Sequence, residues 1–285
     1  MMANILDGTV LGLQFGLLAA GLTLIYGLGG VLNLAYGQIA VTSAMIVALA
    51  MGAEIPLLPA IGLGLLAGGL FGLILDLTLL RPVYRLRGEA RVLLSLLLTL
   101  GVSFIVDGYL NWRYPLKALN LYIGGGAIEI LGVPMRRGSL VASAITLMTI
   151  TGLFVFLRYT SLGRAIRSII ENEDGARLIG IDPRQMLRLI LVLSGVLAAL
   201  VAVTRSMIAP VDTTSGLSIT VFALIVTVVG GLGNVVGALL AGIILGIVNV
   251  VAADLIGSYI SLIILLTAAA VTILIRPAGL LGVRE

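Results

Sequence analysis

Histidine and cysteine are both absent from the 285 residues of the chain. Their absence excludes histidine general bases, cysteine nucleophiles, disulfides and the usual ligands of zinc, iron–sulfur clusters and haem. Charged residues are also scarce, at 11% against roughly 25% in an average soluble domain. Hydrophobic residues instead make up 60% of the chain, and its mean hydropathy is +1.22. The composition excludes an ordinary water-soluble globule and predicts an integral membrane protein.

Long windows with few or no charges divide the chain into candidate membrane spans. A helix needs roughly 20 apolar residues to cross a bilayer. Two windows can hold two crossings each, and five more can each hold one. We therefore predict an all-α polytopic membrane protein, one transmembrane domain over residues 1–285, with about nine helices and a range of eight to ten. The windows are 8–53, 55–75, 92–112, 138–157, 189–204, 213–253 and 255–275.

The basic residues predict the direction of the spans. With the amino terminus outside, twelve of the seventeen Lys and Arg residues fall on the cytoplasmic side. Cytoplasmic loops carry such an excess in membrane proteins, so we expect the amino terminus outside and the carboxyl terminus in the cytoplasm. The net charge of +4 is scattered between apolar stretches. That scatter favours a role in orientation over nucleic-acid binding.

No motif for catalysis or nucleotide binding is found in the sequence. A phosphate-binding P-loop needs Gly-Lys-Ser/Thr, and the only lysine, Lys117, follows a leucine. The sequence therefore predicts a non-catalytic chain with no cofactor and no metal site.

Two acids, Asp76 and Asp107, lie inside predicted spans, where ionisable residues are by default candidates for function. Asp76 is near the cytoplasmic end of its span, and we expect it to pair with Arg81 or Arg85. Asp107 is near the outer end of its span, and we expect its carboxylate to reach water or Arg113. Neither position requires a proton relay.

Small residues at four-residue spacing recur along three spans. Such faces let helix backbones approach closely in a membrane. We expect them to pack within one subunit, with a subunit interface as the alternative. They are Gly8, Gly12 and Gly16; Gly64, Gly68 and Gly72; and Gly242 with Gly246.

Two Gly-rich breaks, at 29–37 and 230–237, read alike and suggest a weak internal repeat with halves 1–137 and 138–285. Interrupted hydrophobic segments in matching positions of two halves point to a substrate path. The alternative is that these residues only shape turns, either cytoplasmic or re-entrant. The predicted path residues are Asn33, Gly37, Gln38, Gly230, Gly231 and Asn234.

The longest polar stretch on the predicted cytoplasmic side is the 158–188 loop, which reads as two short helices. Thr160 or Ser161 can cap the first helix, Gly180 can end the second, and Asp182 can cap the span that follows. An apolar stripe outside the membrane needs lipid headgroups, the same protein or another subunit to cover it. The stripe consists of Ala165, Ile166, Ile169 and Ile170, continued by Ala176, Leu178 and Ile179.

Five segments, in order, resemble the permease subunits of branched-chain amino acid (Liv-type) ABC importers. The stretch 33–37 is similar to the family's Asn-Phe-Ala-His-Gly, with Tyr36 in place of histidine, and 81–85 to its Tyr-Arg-Pro-Leu-Arg. The stretches 163–167 and 176–182 resemble its cytoplasmic coupling loop. The stretch 229–238 resembles its Gly-Gly-Met-Gly, and 276–280 its Arg-Pro-Gln-Gly-Leu ending. Tyr36 and Asp107 depart from the family pattern.

The resemblance implies a permease in a bacterial-type inner membrane that works with a second homologous permease, ATP-binding ABC subunits and an extracytoplasmic solute-binding protein. It implies branched-chain or other amino acids as solutes, with urea, amides and aromatic or carboxylic solutes as alternatives within the family. An ion-coupled secondary transporter or a passive channel is the alternative from another class. The ATPase contacts it implies in the coupling loop are Gly163, Arg164, Ile166, Arg167, Ile170, Ala176, Leu178, Ile179 and Gly180.

Overall fold

Apolar helices make up most of the computed structural model, which describes residues 1–86, 88–115, 117–123, 128–130, 133–276 and 279–281. Within these ranges seven helices are long and apolar enough to span a membrane, and two shorter apolar helices complete the predicted set of about nine. The prediction of an all-α polytopic membrane protein is confirmed. Pro277 and Ala278 of the predicted ending, and residues 282–285, lie outside the described ranges.

The helices follow one another with short connections. The third contains a π-helical turn, Asp76–Leu80. The helices are α1 Met2–Gly29, α2 Tyr36–Gly52, α3 Leu57–Val83, α4 Glu89–Arg113, α5 Arg137–Tyr159, α6 Ser161–Glu171, α7 Glu173–Leu178, α8 Pro183–Ser206, α9 Ser215–Gly230, α10 Val235–Ile256 and α11 Ser258–Ile275.

Helix α1 lies at the centre of the bundle, packed mainly against α10 and α8. Its contact with α10 depends on glycine, because a Cβ added at Gly12 would stand 2.6 Å from the Cα of Ile243. Gly68 of α3 is equally close to α8, where an added Cβ would stand 2.5 Å from the carbonyl oxygen of Gly195. The small-residue faces therefore pack within one subunit, as predicted.

Helices α4, α5 and α11 lie at the periphery, and few of their side chains are buried. Large apolar residues such as Leu97, Phe104 and Met148 occupy these outer faces. An exposed apolar face on a membrane-spanning helix suits contact with lipid or with another membrane subunit.

Short strands lie on the predicted outer side. Strand β1, Ala118–Leu119, pairs antiparallel with β4, Val211–Asp212, and both pack against α2. Strand β2, Ile128–Ile130, pairs antiparallel with β3, Val133–Met135. The connections on this side are therefore tied to the helical bundle through β1 and β4.

The 158–188 loop forms the two predicted short helices, α6 and α7, with the predicted caps. Thr160 Oγ1 accepts a hydrogen bond from the Gly163 amide at 3.0 Å, and Asp182 Oδ1 accepts one from the Arg184 amide at 2.9 Å. Gly180 follows α7 with a φ of 85°, the left-handed conformation expected of it. A cap at Asn172, which accepts from the Gly175 amide at 2.9 Å, was not predicted.

Candidate functional site

The first break, residues 30–35 between α1 and α2, lies inside the helical bundle. Helix α1 ends where Gly30 adopts a φ of 58° and its amide bonds the Tyr26 carbonyl at 2.7 Å. The chain then continues in a non-helical conformation with Val31, Asn33 and Ala35 fully buried. Irregular backbone is tolerated at membrane depth only where protein or a water-filled cavity surrounds it. The first break meets that condition through burial in protein.

Hydroxyl groups from two other helices bind the backbone of the first break. On one side, Ser95 Oγ accepts from the Leu32 amide at 3.2 Å and Thr99 Oγ1 accepts from the Leu34 amide at 2.9 Å. On the other side, Thr220 Oγ1 of α9 accepts from the Gly37 amide at 2.9 Å. An unsatisfied backbone group in hydrocarbon costs several kcal/mol, so these side chains allow α2 to begin inside the bundle.

Helix α4 carries a polar stripe along its inner face, and the sequence analysis missed it. Three of the four buried residues of this helix are serine or threonine. The spacing alone could have revealed the stripe, because a polar residue recurs every fourth position on an otherwise apolar helix. Its members are Ser95, Thr99, Ser103, Asp107 and Asn111.

Asp107 contacts α2 rather than the expected Arg113. Gln38 Nε2 donates to Asp107 Oδ1 at 3.4 Å. The guanidinium of Arg113 instead lies over the Tyr114 ring, 5.1 Å from its centroid. The expectation of Arg113 as the partner is wrong because α4 turns Asp107 towards the bundle with the rest of the polar stripe, and contact with water stays a prediction.

The same cluster extends to the start of α9. Asn111 Nδ2 donates to the Asp107 carbonyl at 2.9 Å, and Thr213 Oγ1 donates to Asn111 Oδ1 at 2.7 Å. One chain of polar contacts therefore joins α2, α4 and the segment that precedes α9.

Glycine allows the close approach of α2 and α9. A Cβ at Gly37 would meet the backbone carbonyl of Gly216 and stand 2.6 Å from Thr220 Oγ1. A Cβ at Gly216 would in turn stand 2.5 Å from Cδ of Gln38. At both positions a side chain would collide with the neighbouring helix. Glycine is therefore needed there for space and not for its backbone conformation. Of the predicted path residues, Asn33, Gly37 and Gln38 are brought together here.

Tyr36 is fully buried at the first residue of α2. Its hydroxyl donates to the Ser194 carbonyl of α8 at 3.2 Å, and its ring packs against Gly21 of α1. The phenol thereby joins α2 to α1 and α8.

The second break, residues 231–234 between α9 and α10, is more exposed and is stabilised by a helix cap and by the carboxyl-terminal stretch 279–281. Asn234 Oδ1 caps α10 by accepting from the Gly237 amide at 3.0 Å. Its Nδ2 donates to the Leu281 carbonyl at 2.6 Å, and the Leu280 amide bonds the Val229 carbonyl at 2.9 Å. The carboxyl-terminal stretch 279–281 therefore lies along this break.

Gly230 and Gly231 serve this second break. A Cβ at Gly230 would stand 2.5 Å from the Cα of Ala238, and Gly231 adopts a φ of 106°. Among the described residues no hydrogen bond joins the second break to the first. The six predicted path residues thus form two groups. In the second group, both the oxygen and the nitrogen of the Asn234 side-chain amide have a hydrogen-bond partner.

Asp76 is buried in the π-helical turn, and its partner is Arg188 of α8, with Nε 3.2 Å from Oδ2. The expected partners, Arg81 and Arg85, were wrong because the helix directs Asp76 towards α8. Next to this pair, burial raises the pKa of the Tyr84 phenol above its ordinary value, and the Asp76 carboxylate raises it further.

Arg91 was not predicted to have a contact role, yet its guanidinium binds three backbone carbonyls. Its guanidinium donates to the carbonyls of Leu86 at 2.7 Å, Gly29 at 3.1 Å and Tyr84 at 3.3 Å. The end of α1 and the connection after α3 are therefore fixed to α4.

The apolar stripe of the 158–188 loop is divided between the interior and the surface. Ile166, Ile169 and Ala176 are buried within the chain itself. Leu178 is 90% exposed, Ile179 73% and Ile170 37%. Of the three expected coverings, the same protein therefore accounts for half of the stripe, which anchors α6 and α7 to the bundle.

Gly163, Arg164 and Arg167 lie in the first two turns of α6, next to the end of α5. Gly163 is buried, with an added Cβ blocked by the Phe156 and Leu157 carbonyls. Arg164 and Arg167 are exposed and donate to carbonyls at the end of α5, each at 3.3 Å. A cleft of about 460 Å³ separates α7 from the α3–α4 connection and is lined by charged residues of both signs, among them Arg85, Glu173 and Arg177.

Comparison with known proteins gives matches over almost the whole chain. A protein family described as branched-chain amino acid transport system / permease component matches residues 4–275. LivH of Salmonella typhimurium, a high-affinity branched-chain amino acid transport permease, is 27% identical over 69% of this chain and 68% of the relative. BraD of Pseudomonas aeruginosa, a permease of the same description, is 27% identical over 72% of this chain and 70% of the relative.

A third relative is named for a different solute. YtfT of Escherichia coli, a galactofuranose transporter permease, is 28% identical over 66% of this chain and 51% of the relative. The family match covers nearly all of the described helices. The chain therefore belongs to the family of branched-chain amino acid transport permeases and is a multi-pass inner-membrane permease component of the ABC importer class.

Proposed function

We propose that the chain forms the translocation path of an importer for branched-chain amino acids and docks a separate ATPase on the 158–188 loop. Similarity to LivH and BraD over about 70% of the chain supports the solute. Membership of an ABC permease family argues against the ion-coupled transporter and the channel. The proposed partners are a second homologous permease, ATP-binding subunits and an extracytoplasmic binding protein.

Similarity to a galactofuranose permease keeps other solutes open as the second candidate. Urea, amides and aromatic or carboxylic solutes are the alternatives to test. Uptake of labelled L-leucine in a strain that carries the full transport system, with each alternative as competitor, separates them. Competition by an alternative solute but not by L-valine or L-isoleucine contradicts the branched-chain assignment.

The first break is proposed as part of the path because polar groups surround it within an apolar bundle. Asn33 and Gln38 are buried, and each has one amide atom without a hydrogen-bond partner in the described part of the chain. Polar groups without partners are costly in such surroundings. Their presence therefore indicates a function. Gly230, Gly231 and Asn234 remain predicted path residues, although the contacts of Asn234 favour turn formation.

One observation supports the docking proposal above all. Leu178 and Ile179 are 90% and 73% exposed at the end of α7, whereas the other side of the same loop is buried in the bundle. Fully burying one such side chain stabilises a complex by roughly 1.5–3 kcal/mol. A fixed helix that presents apolar side chains next to a charged cleft suits a protein partner.

The test is Ile179→Asp, which introduces a charge into the proposed interface, where an unpaired charge is costly. We expect the variant to insert normally, to lose the ATPase on purification in mild detergent, and to transport nothing. Leu58→Asp is the matched control, because Leu58 is 81% exposed at the opposite end of the bundle. Retention of the ATPase and of substrate-stimulated hydrolysis by Ile179→Asp contradicts docking and favours an interfacial contact with lipid.

Docking also depends on the proposed orientation, with the amino terminus outside and the carboxyl terminus in the cytoplasm. A reporter that is active only in the cytoplasm should be silent when fused at Met1 and active when fused after Glu285. The opposite pattern contradicts the orientation.

A further inference from the structure

Asp107 is a carboxylate within a membrane span and has no basic partner in the described part of the chain. The ion pairs found there are Arg177 with Glu173 and Arg188 with Asp76. Arg113, the nearest basic residue on the same helix, lies over Tyr114. Intramembrane acids are costly and usually face a partner or a pathway. The partly buried Asp107 side chain faces Gln38.

Gln38 is 1% exposed, and its Oε1 atom is buried without a donor in the described chain. Its Nε2 donates to Asp107 Oδ1 at 3.4 Å. The reverse orientation of the amide would set two oxygens against each other, so this contact identifies Oε1 as the free atom. One helical turn further, the hydroxyl of Thr42 is also buried without a partner. Buried polar atoms nearly always have partners, so Gln38 Oε1 indicates a missing donor and the Thr42 hydroxyl indicates a missing donor or acceptor.

The Gln38 amide rests on Gly216 of α9. A Cβ there would stand 2.5 Å from Cδ and 2.6 Å from Oε1 of Gln38. Any side chain at position 216 would therefore displace the amide from its place beside Asp107. The glycine therefore provides the space that the Gln38 amide occupies beside Asp107.

We propose that the Asp107 carboxylate, Gln38 Oε1 and Thr42 Oγ1 bind the primary ammonium group of the transported solute. An ammonium group carries a positive charge and three N–H donors, which complement one carboxylate and two neutral acceptors. This inference rests on the proposed import function and adds the part of the solute that the permease recognises. The competing explanation is that the cluster only joins α2 to α4.

The test uses the absence of cysteine from the chain, so that Ser103→Cys introduces a single thiol. Ser103 lies one helical turn before Asp107 on the same stripe and outside the proposed contacts. In the assembled complex the thiol is treated with cationic 2-aminoethyl methanethiosulfonate and with neutral methyl methanethiosulfonate. The ratio of the two modification rates measures the local attraction for an ammonium group.

We expect Asp107→Asn to lower this ratio about tenfold, since a confined charge raises the local concentration of counter-ions by that order or more. The neutral reagent should react at an unchanged rate, which shows that the fold is intact. Asp107→Glu should keep the ratio, and Glu54→Gln, at an exposed carboxylate beyond the end of α2, should not change it. An unchanged ratio in Asp107→Asn overturns the proposal, as does a thiol that reacts with neither reagent even during ATP turnover.

L-Leucine provides the second arm. It should slow modification of Ser103→Cys by both reagents during turnover, and it should not do so in the Asp107→Asn background. If the ratio falls in Asp107→Asn but the complex neither takes up nor is protected by L-leucine, the ammonium site stands and the proposed solute is wrong. If L-leucine is taken up while the ratio is unchanged, the import function stands and the ammonium site is wrong.

Discussion

The two Gly-rich breaks read alike in sequence but are stabilised in different ways. In the first, hydroxyl groups of α4 and α9 bind the backbone, from positions 63 to 183 residues away in the chain. In the second, Asn234 caps the helix that follows it, and the stretch 279–281 covers the preceding carbonyls. A Gly-Gly-x-x-Asn pattern therefore indicates an interrupted helix without fixing how the interruption is stabilised.

The difference follows from where each break lies. Buried backbone must find partners within the protein, and at membrane depth side-chain hydroxyls supply them. Exposed backbone has water as an alternative, so a cap and a short covering segment suffice. The stability of the first break should accordingly be sensitive to changes in α4 and α9. The stability of the second break should be sensitive to changes in its cap and in the stretch 279–281.

The largest effect is expected from Gly37→Ala, at the closest approach of α2 and α9. The added methyl meets the backbone carbonyl of Gly216, which cannot rotate away. Overpacking typically costs 1–3 kcal/mol, and a backbone obstacle puts this variant at roughly the upper end. We expect a markedly lower melting temperature in detergent and poor assembly. Gly62→Ala, a helical position with no atom within 4 Å of the added Cβ, is the control, and equal stability of the two variants contradicts the close approach.

A smaller loss is expected from Thr99→Val, which leaves the Leu34 amide of the first break without its acceptor. An unsatisfied buried donor costs about 1–3 kcal/mol. Thermal unfolding in detergent should detect the loss, and hydrogen exchange should locate it at the first break. Thr151→Val is the matched control, because the exposed Thr151 hydroxyl bonds only its own helix, at the Leu147 carbonyl. Similar losses in both variants contradict the special role of the α4 stripe.

The smallest effect on stability is expected from Asn234→Leu in the second break. Loss of a helix N-cap costs about 0.5–2 kcal/mol, and here the stretch 279–281 also loses a contact. Limited proteolysis should show faster cleavage near the carboxyl terminus. Uptake should fall without loss of assembly if Asn234 borders the path. Unaltered uptake kinetics in Asn33→Leu and Asn234→Leu together contradict the path assignment of both residues.

Much of the fold could be predicted because bilayer thickness fixes the length of a spanning helix. The caps at Thr160 and Asp182 and the left-handed Gly180 were predictable because each depends on residues within one turn. Position along the chain also located Asn33, Gly37 and Gln38 at an interruption. For these three predicted path residues, proximity in sequence was enough to predict that they lie together.

The partners of polar groups were not predictable from neighbouring positions. Asp76 pairs with Arg188 across 112 residues, where the sequence suggested Arg81 or Arg85 on the same stretch of chain. Asp107 turns towards Gln38 because α4 buries its polar face and exposes its apolar face, the reverse of a helix in water. A single sequence shows the spacing of the polar residues along that face. It does not show which helices pack against the face.

The sequence by itself determined the membrane environment, the number of spans and the local capping, since these depend on hydrophobicity and on contacts within a few residues. Only the tertiary structure decided that Ile166 and Ile169 are buried while Leu178 and Ile179 are exposed, and that the two breaks have different surroundings. The physical reason is that burial of a side chain and partners for an interrupted backbone both depend on helices that are distant in sequence and adjacent only after packing.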